Sequence, residues 1–133
     1  MAMKQRFMLD TNGVRLLLER RSPVLDQWFA EERCSLSAIV AAEIRYGLER
    51  RQLTQARTDL VEGLLVVLPI EPFESQVAAV YGRLRAALQR AGRSLSAMDL
   101  LIASHALALN RTLVSGDQAF HAVPGLQICS PVG

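Results

Sequence analysis

Arg6-Phe7-Met8-Leu9-Asp10-Thr11-Asn12 is a short apolar stretch stopped by an aspartate and followed by small polar residues. It predicts a first strand, Arg6–Leu9, ending at Asp10, with Asn12 placed to cap a helix through Arg21. Outward from this junction the alternation repeats. Ser22 and Pro23 open a second helix, serine as the cap and proline at the first helical position, which carries the sole tryptophan, Trp28, and reaches about Arg33. Cys34–Ser37 reads as a short strand. Ser37 then caps a helix over Ala38–Arg51, with Ile39, Ala42, Tyr46 and Gly47 at helical spacing. A helix around Thr54–Leu65 leads to a β-branched strand, Val66–Ile70, bounded by Pro69 and Pro72.

The second half continues in the same way. Phe73–Ala91 is amphipathic, with Val77, Val80, Tyr81, Leu84 and Leu88 on one face and Gly92 as its stop. Ser96 and Asp99 have the spacing of a capping box. The helix they open, to about Leu109, is apolar nearly all round and belongs at the centre of the fold. Thr112–Ser115 predicts a strand, Asp117–Phe120 a turn of helix and Leu126–Cys129 a last short strand. Strands alternating with helices give an α/β class: a mostly parallel sheet flanked by helices. Sites in such sheets form outside the carboxyl ends of the strands, where Asp10 and Asp117 both fall.

Composition narrows the function classes. The chain has 133 residues, half of them hydrophobic and 21% charged, which fits one compact domain over residues 1–133 and not a disordered protein. Only Phe7, Met8 and Leu9 follow the basic start before Asp10 intervenes, so no signal peptide is expected. Runs such as Leu64–Ile70 and Leu100–Ala103 are too short for a membrane span. Cys34 and Cys129 are widely separated and unpaired in spacing, which reads as reduced thiols in a cytoplasmic protein. A net charge of +2 does not identify a nucleic-acid binder. Its distribution is more telling: from Ser75 onward the basic residues are Arg83, Arg85, Arg90, Arg93 and Arg111, against Asp99 and Asp117. That half is a candidate for phosphate contacts, the alternative being a solvated arginine-rich helix face. No dinucleotide fingerprint, phosphate loop or nucleophile elbow occurs.

Four acids carry the chemical interest. Asp10 follows a strand, and its structural alternative is a turn residue shaping the loop. Glu43 interrupts Ala38–Ile44 on or beside the inward helix face, where an unpaired carboxylate is costly and should meet a cation or a polar cleft. Asp99 fills the acidic position of a capping box, a role that keeps it ionised without excluding metal binding. Asp117 could cap the turn after Gly116. Together, acids at buried or loop-edge junctions of an α/β chain suggest a shared divalent ion, and hard oxygen ligands suit Mg²⁺ or Mn²⁺ in preference to zinc. His105 and His121 read as structural or surface residues.

These residues resemble a known family. Met8-Leu9-Asp10-Thr11-Asn12 looks like the opening motif of PIN domains. Ser37–Gly47 (SAIVAAEIRYG) resembles the second-acid helix of VapC-type toxins, Ser96–Ala106 (SAMDLLIASHA) the third block and Thr112–Gly125 (TLVSGDQAFHAVPG) the fourth. The blocks come in the family's order and cover nearly the whole chain. The resemblance implies about five mostly parallel strands between helices, with Asp10, Glu43, Asp99 and Asp117 in one acidic pocket. Asp10, Asp99 and Asp117 would hold one or two Mg²⁺ or Mn²⁺ ions, and Glu43 would orient or deprotonate the attacking water. Thr11, Asn12 and Ser115 would fix the carboxylates. It further implies endoribonuclease activity leaving a 5′-phosphate and a 3′-hydroxyl, a homodimer, and inhibition by a VapB-type antitoxin.

Three departures bear on the cleft. Gly13 stands where a bulky aliphatic residue is usual, Arg15 where a small polar one is common, and Ser115-Gly116 replaces threonine and a polar residue. Two rival functions remain in view at this level. One is a PIN-fold module that binds RNA or a partner without turnover. The other is a phosphotransferase of the haloacid-dehalogenase kind, which wants a second acid where Asn12 stands.

Overall fold

The computed structural model describes residues 4–131. Five strands, β1 (Phe7–Leu9), β2 (Cys34–Ser37), β3 (Ile70–Glu71), β4 (Thr112–Val114) and β5 (Ile128–Cys129), form one sheet in the order β3-β2-β1-β4-β5. All four pairings are parallel. The central strands are buried at every position, because helices cover both faces of the sheet. That is why Phe7-Met8-Leu9 and Thr112-Leu113-Val114 show no polar alternation.

Six helices fill the layers: α1 (Thr11–Leu18), α2 (Pro23–Ala30), α3 (Ala38–Arg50), α4 (Gln55–Val67), α5 (Ser75–Arg90) and α6 (Ala97–Ala108). Ser22, Ser37, Thr54 and Ser96 each cap the helix that follows, their hydroxyls accepting amide hydrogens of the first turn. The all-round apolar α6 lies in the interior, burying Leu100, Ile102, Ala103, Ser104, His105 and Ala106. At the sheet's opposite end Phe7 stacks on Trp28 at 3.8 Å.

Several boundaries differ from the sequence expectation. The strand expected over Val66–Ile70 is helix as far as Val67, and β3 is only Ile70–Glu71. Val61, Leu65 and Leu68 face the core at helical spacing while Val66 and Val67 point to solvent, so packing overrides the β preference of the valines. Pro69 then prevents continuation. The cap of α1 is Asp10, not Asn12: Asp10 Oδ1 accepts the Gly13 amide at 2.9 Å, and Asn12 sits in the first turn. Helices α1 and α2 stop short of Arg21 and Arg33 because Arg20 (φ 54°) and Glu32 (φ 58°) take left-handed backbone and turn the chain away.

The topology positions a site. From β1 the chain moves through α1 and α2 to β2, then through α3 and α4 to β3, all on one side. Helices α5 and α6 then return it to β4 on the other side of β1. Connections therefore diverge between β1 and β4, and a crevice opens outside their carboxyl ends. Gly13 sets its depth. A Cβ there would lie 3.1 Å from Leu9 Cβ and 3.4 Å from the Val114 carbonyl, so glycine lets the first turn of α1 settle onto β1 and β4.

Candidate functional site

Four separate segments bring acids to this crevice. Asp10 ends β1, Glu43 lies in α3, Asp99 in the first turn of α6, and Asp117 caps the 3-10 turn Gln118–Ala122 after β4. All four line one cavity with Thr11, Asn12, Arg15, Ile102 and Phe120. Ile102 and the buried Phe120 supply its apolar wall. Asp10 is the most enclosed, only 7% exposed; Glu43 and Asp99 are half-buried and Asp117 is exposed.

The local bonds leave carboxylate oxygens for the cavity. Asp10 Oδ1 is held by the Gly13 amide, and Asp117 Oδ1 accepts the Ala119 amide at 2.9 Å. Asp99 N–H donates to Ser96 Oγ at 3.1 Å. The return bond of a capping box, from the Ser96 amide to the Asp99 carboxylate, is not made among the described residues, so that carboxylate is not committed to its own helix. Ser115 Oγ accepts the Asp117 amide at 3.0 Å, and its hydroxyl faces the Asp10 carboxylate. Thr11 stands in the same relation to Glu43. Asn12 lines the cavity beside them, and its backbone amide supports Asp10.

Burial pushes the Asp10 carboxyl above the ordinary aspartate range; the Ser115 hydroxyl and the Gly13 and Asn12 amides oppose the rise, and the charge of Asp117 adds to it. Glu43 is also raised, first by burial and then by Asp99 and Asp10, with Thr11 opposing. Asp10 therefore feels the charge of Asp117, and Glu43 that of Asp99 and Asp10. Among the described residues no three acid, histidine or cysteine side chains are gathered into ready ligand geometry. The cavity is an open acidic cleft. Its donor set is nonetheless all oxygen, charged and partly desolvated, which fits a hard divalent cation and offers nothing to a thiophilic metal.

Ile102 and Phe120 line the cleft with no site role expected from the sequence, and Arg15, expected only as a departure near the cleft, is one of its lining residues. Arg15 lies one helical turn beyond Thr11 on α1, a spacing that could have revealed it. The arginines after Ser75, candidates for phosphate contacts, do not line this cavity. Arg83 and Arg90 are exposed on α5, Arg85 and Arg93 line a small hollow between α5 and the start of α6, and Arg111 pairs with Glu71 at 3.4 Å. They are spread along the sequence after Ser75, and chain proximity did not translate into spatial proximity. His105 is structural, fully buried with Nδ1 2.7 Å from Ser37 Oγ and Nε2 3.1 Å from the Pro72 carbonyl; burial lowers its pKa. His121 is exposed.

Comparison with known proteins bears on the family and the fold. The PIN domain pattern matches residues 7–126. The chain is 31% identical over 125 residues to Ribonuclease VapC2 of Rickettsia felis, covering 90% of this chain and 93% of that protein. It is 29% identical over 126 residues to the tRNA(fMet)-specific endonuclease VapC of Salmonella typhimurium, covering 92% and 96%. Its fold superposes on the crystal structure of VapBC2 from Rickettsia felis bound to a promoter DNA fragment with a TM-score of 0.82 at 28% identity, covering 94% of this chain and 98% of that one.

Proposed function

The chain belongs to the PIN-domain family, among the VapC-type ribonucleases, and from that premise we propose that it is a Mg²⁺-dependent endoribonuclease toxin, cytoplasmic and restrained by a VapB-type antitoxin. One observation carries the reading: acids from four separate segments line a single cleft at the switch point of the sheet. A folding role explains each acid alone, but not their convergence at a cost in mutual repulsion.

In this reading Asp10, Asp99 and Asp117 hold Mg²⁺, with Mn²⁺ able to replace it. When bound, the ion polarises the scissile phosphoryl group and neutralises the charge that develops on it. Glu43, its carboxyl raised by burial and by Asp99, takes the proton of the attacking water. Thr11 orients Glu43, and Ser115 and the Gly13 amide fix Asp10. Water adds to phosphorus as the bond to the 3′-oxygen breaks, and the departing 3′-oxygen takes a proton from solvent water, leaving a 5′-phosphate and a 3′-hydroxyl. Ile102 and Phe120 keep one wall of the cleft apolar, which strengthens the electrostatic contacts inside.

The partner reading rests on a second surface. Leu17, Leu18, Phe29, Leu60, Leu64 and Val67 line an apolar groove between α1, α2 and α4, with Leu60 and Val67 largely exposed. An apolar antitoxin segment would occupy that groove, while a basic side chain from it enters the acidic cleft in place of the cation. The VapC-type membership also leads us to propose a homodimer, checked by light scattering. Among the described residues no helix is long and apolar enough to cross a membrane.

The direct test of activity is incubation of the purified chain with RNA in Mg²⁺ and in EDTA, followed by end analysis. Cleavage confined to the Mg²⁺ reaction, with 5′-phosphate products, supports the reading; cleavage undiminished by EDTA contradicts it.

A further inference from the structure

Beside the acidic cleft, and sharing Thr11, Arg15 and Glu43 with it, lies a second cavity between α1, α3 and the start of α4. Its charge is opposite. Arg15, Arg50, Arg51 and Arg57 line it, and Glu43, on the shared rim, is the sole acid. None of these arginines forms an ion pair among the described residues, whereas Arg20, Arg21, Arg33, Arg45 and Arg111 all do. Arg50 lies over the ring of Tyr46 at 5.7 Å, and that tyrosine is 64% exposed.

Two of these placements run against what helices prefer. Arg57 is half-buried in the first turn of α4, where the helix dipole is positive and an acid would be favourable. Tyr46 presents a large ring to solvent on a helix that has a buried face available. Arg15 and Arg50, in the last turns of α1 and α3, and Arg51 at the end of α3 suit their helix dipoles, which leaves Arg57 and Tyr46 as the placements that the helices do not explain. Four unpaired guanidinium groups around an exposed aromatic ring form an electrostatic track with a stacking platform, the combination that holds single-stranded nucleic acid without reading its sequence.

We propose that this cavity is the strand-binding subsite of the nuclease: Arg15, Arg50, Arg51 and Arg57 hold the backbone phosphates next to the scissile one, and a base stacks on Tyr46. The proposal rests on the ribonuclease reading and adds the direction in which the RNA leaves the cleft, along α3 toward the start of α4. Arg15, which lines both cavities, marks the crossing between the acidic centre and the basic track. The positive charge of the four arginines also offsets the repulsion that the four carboxylates would otherwise exert on the RNA backbone.

The test compares the wild-type chain with the triple variant R50A/R51A/R57A and with Y46A and Y46F, all at exposed or half-buried positions and checked by circular dichroism. Cleavage of a fluorescent single-stranded oligoribonucleotide in Mg²⁺ is followed across salt concentrations. The triple variant is expected to raise KM at least about tenfold with kcat within about threefold, and to lower the slope of log KM against log salt by about two, three phosphate contacts at ~0.7 each. Y46A should raise KM roughly tenfold with the slope unchanged, and Y46F should recover most of the loss because it keeps the ring. A triple variant with wild-type KM and slope overturns the subsite while wild-type cleavage leaves the nuclease reading intact. A triple variant that keeps its KM but no longer binds the antitoxin also overturns it, making the surface a protein-docking site. A wild-type chain that neither cleaves nor binds RNA removes both readings.

Discussion

Ser115 links two of the cleft's acidic residues: its Oγ accepts the backbone amide of Asp117 at 3.0 Å while its hydroxyl faces the Asp10 carboxylate. A buried serine, 2% exposed, thus sets the loop that carries one acid and steadies the charge of the other. Ser115→Ala should raise the Asp10 pKa further, because the largest opposing influence on it is lost. The acid limb of the pH–rate profile should move to higher pH, with a loss in rate of about tenfold at neutral pH. Ser115→Thr should restore both. An unshifted profile in the alanine variant would mean that the hydroxyl serves only the loop.

The raised carboxyls make stability depend on pH in a definite direction. Asp10 and Glu43 bind protons more readily folded than unfolded, so their contribution is most favourable below their ordinary values of 3.8 and 4.5. It is lost as pH rises through the higher folded values. Glu43→Gln should therefore raise the metal-free Tm at pH 7 by about 2–4 °C, and the gain should vanish near pH 4. Thermal melts at the two pH values, in EDTA, check this. An equal gain at both would show that Glu43 is not held at an electrostatic cost.

Gly13 is the departure whose consequence the structure makes concrete. With Leu9 Cβ 3.1 Å and the Val114 carbonyl 3.4 Å from any added Cβ, Gly13→Val must lift the first turn of α1. A destabilisation of about 1–3 kcal/mol is expected, with a loss of activity beyond it because the Asp10–Gly13 bond moves too. Denaturant melts and cleavage rates on the same preparation separate the two effects. Wild-type stability would show that α1 has room to shift.

The apolar groove gives a partner test independent of catalysis. Gly63 lines it from α4, and a Cβ there meets nothing within 4 Å. Gly63→Glu should leave the Tm equal or higher, since glycine costs a helix about 0.5–1 kcal/mol, yet weaken binding of the cognate antitoxin at least about tenfold by placing a charge in the groove. Calorimetric titration measures it. Undiminished affinity would locate the antitoxin elsewhere.

Much of this was legible in the residues, and what was not has identifiable causes. Caps at Ser22, Ser37, Thr54 and Ser96 were readable because a hydroxyl before a helix satisfies orphan amides by local chemistry alone. The class followed from strands alternating with helices, and the placement of Asp10 and Asp117 from the rule that sites form at carboxyl ends. The strand at Val66–Ile70 was misread because β-branched composition is a local signal, while the helix through Val67 is held by the distant core contacts of Val61, Leu65 and Leu68. Asn12 precedes the apolar run and so reads as the cap, but the Asp10 carboxylate accepts the Gly13 amide and starts the helix two residues earlier. The arginines failed for a similar reason: which of them stand at the cleft depends on crossovers that sequence order does not reveal.

The measurement that bears most directly on the central claim is the Mg²⁺-dependent cleavage rate of Asp99→Asn under single-turnover conditions. Asparagine keeps the size of the side chain, and the Asp99 amide bond to Ser96 belongs to the backbone, so the helix cap and the fold should survive. Removing one charged oxygen ligand should lower the rate by roughly a hundredfold or more, and the Mg²⁺-induced rise in Tm expected for the wild type should largely disappear. A folded Asp99→Asn protein that cleaves RNA at the wild-type rate, with the same Mg²⁺ dependence, would contradict the account.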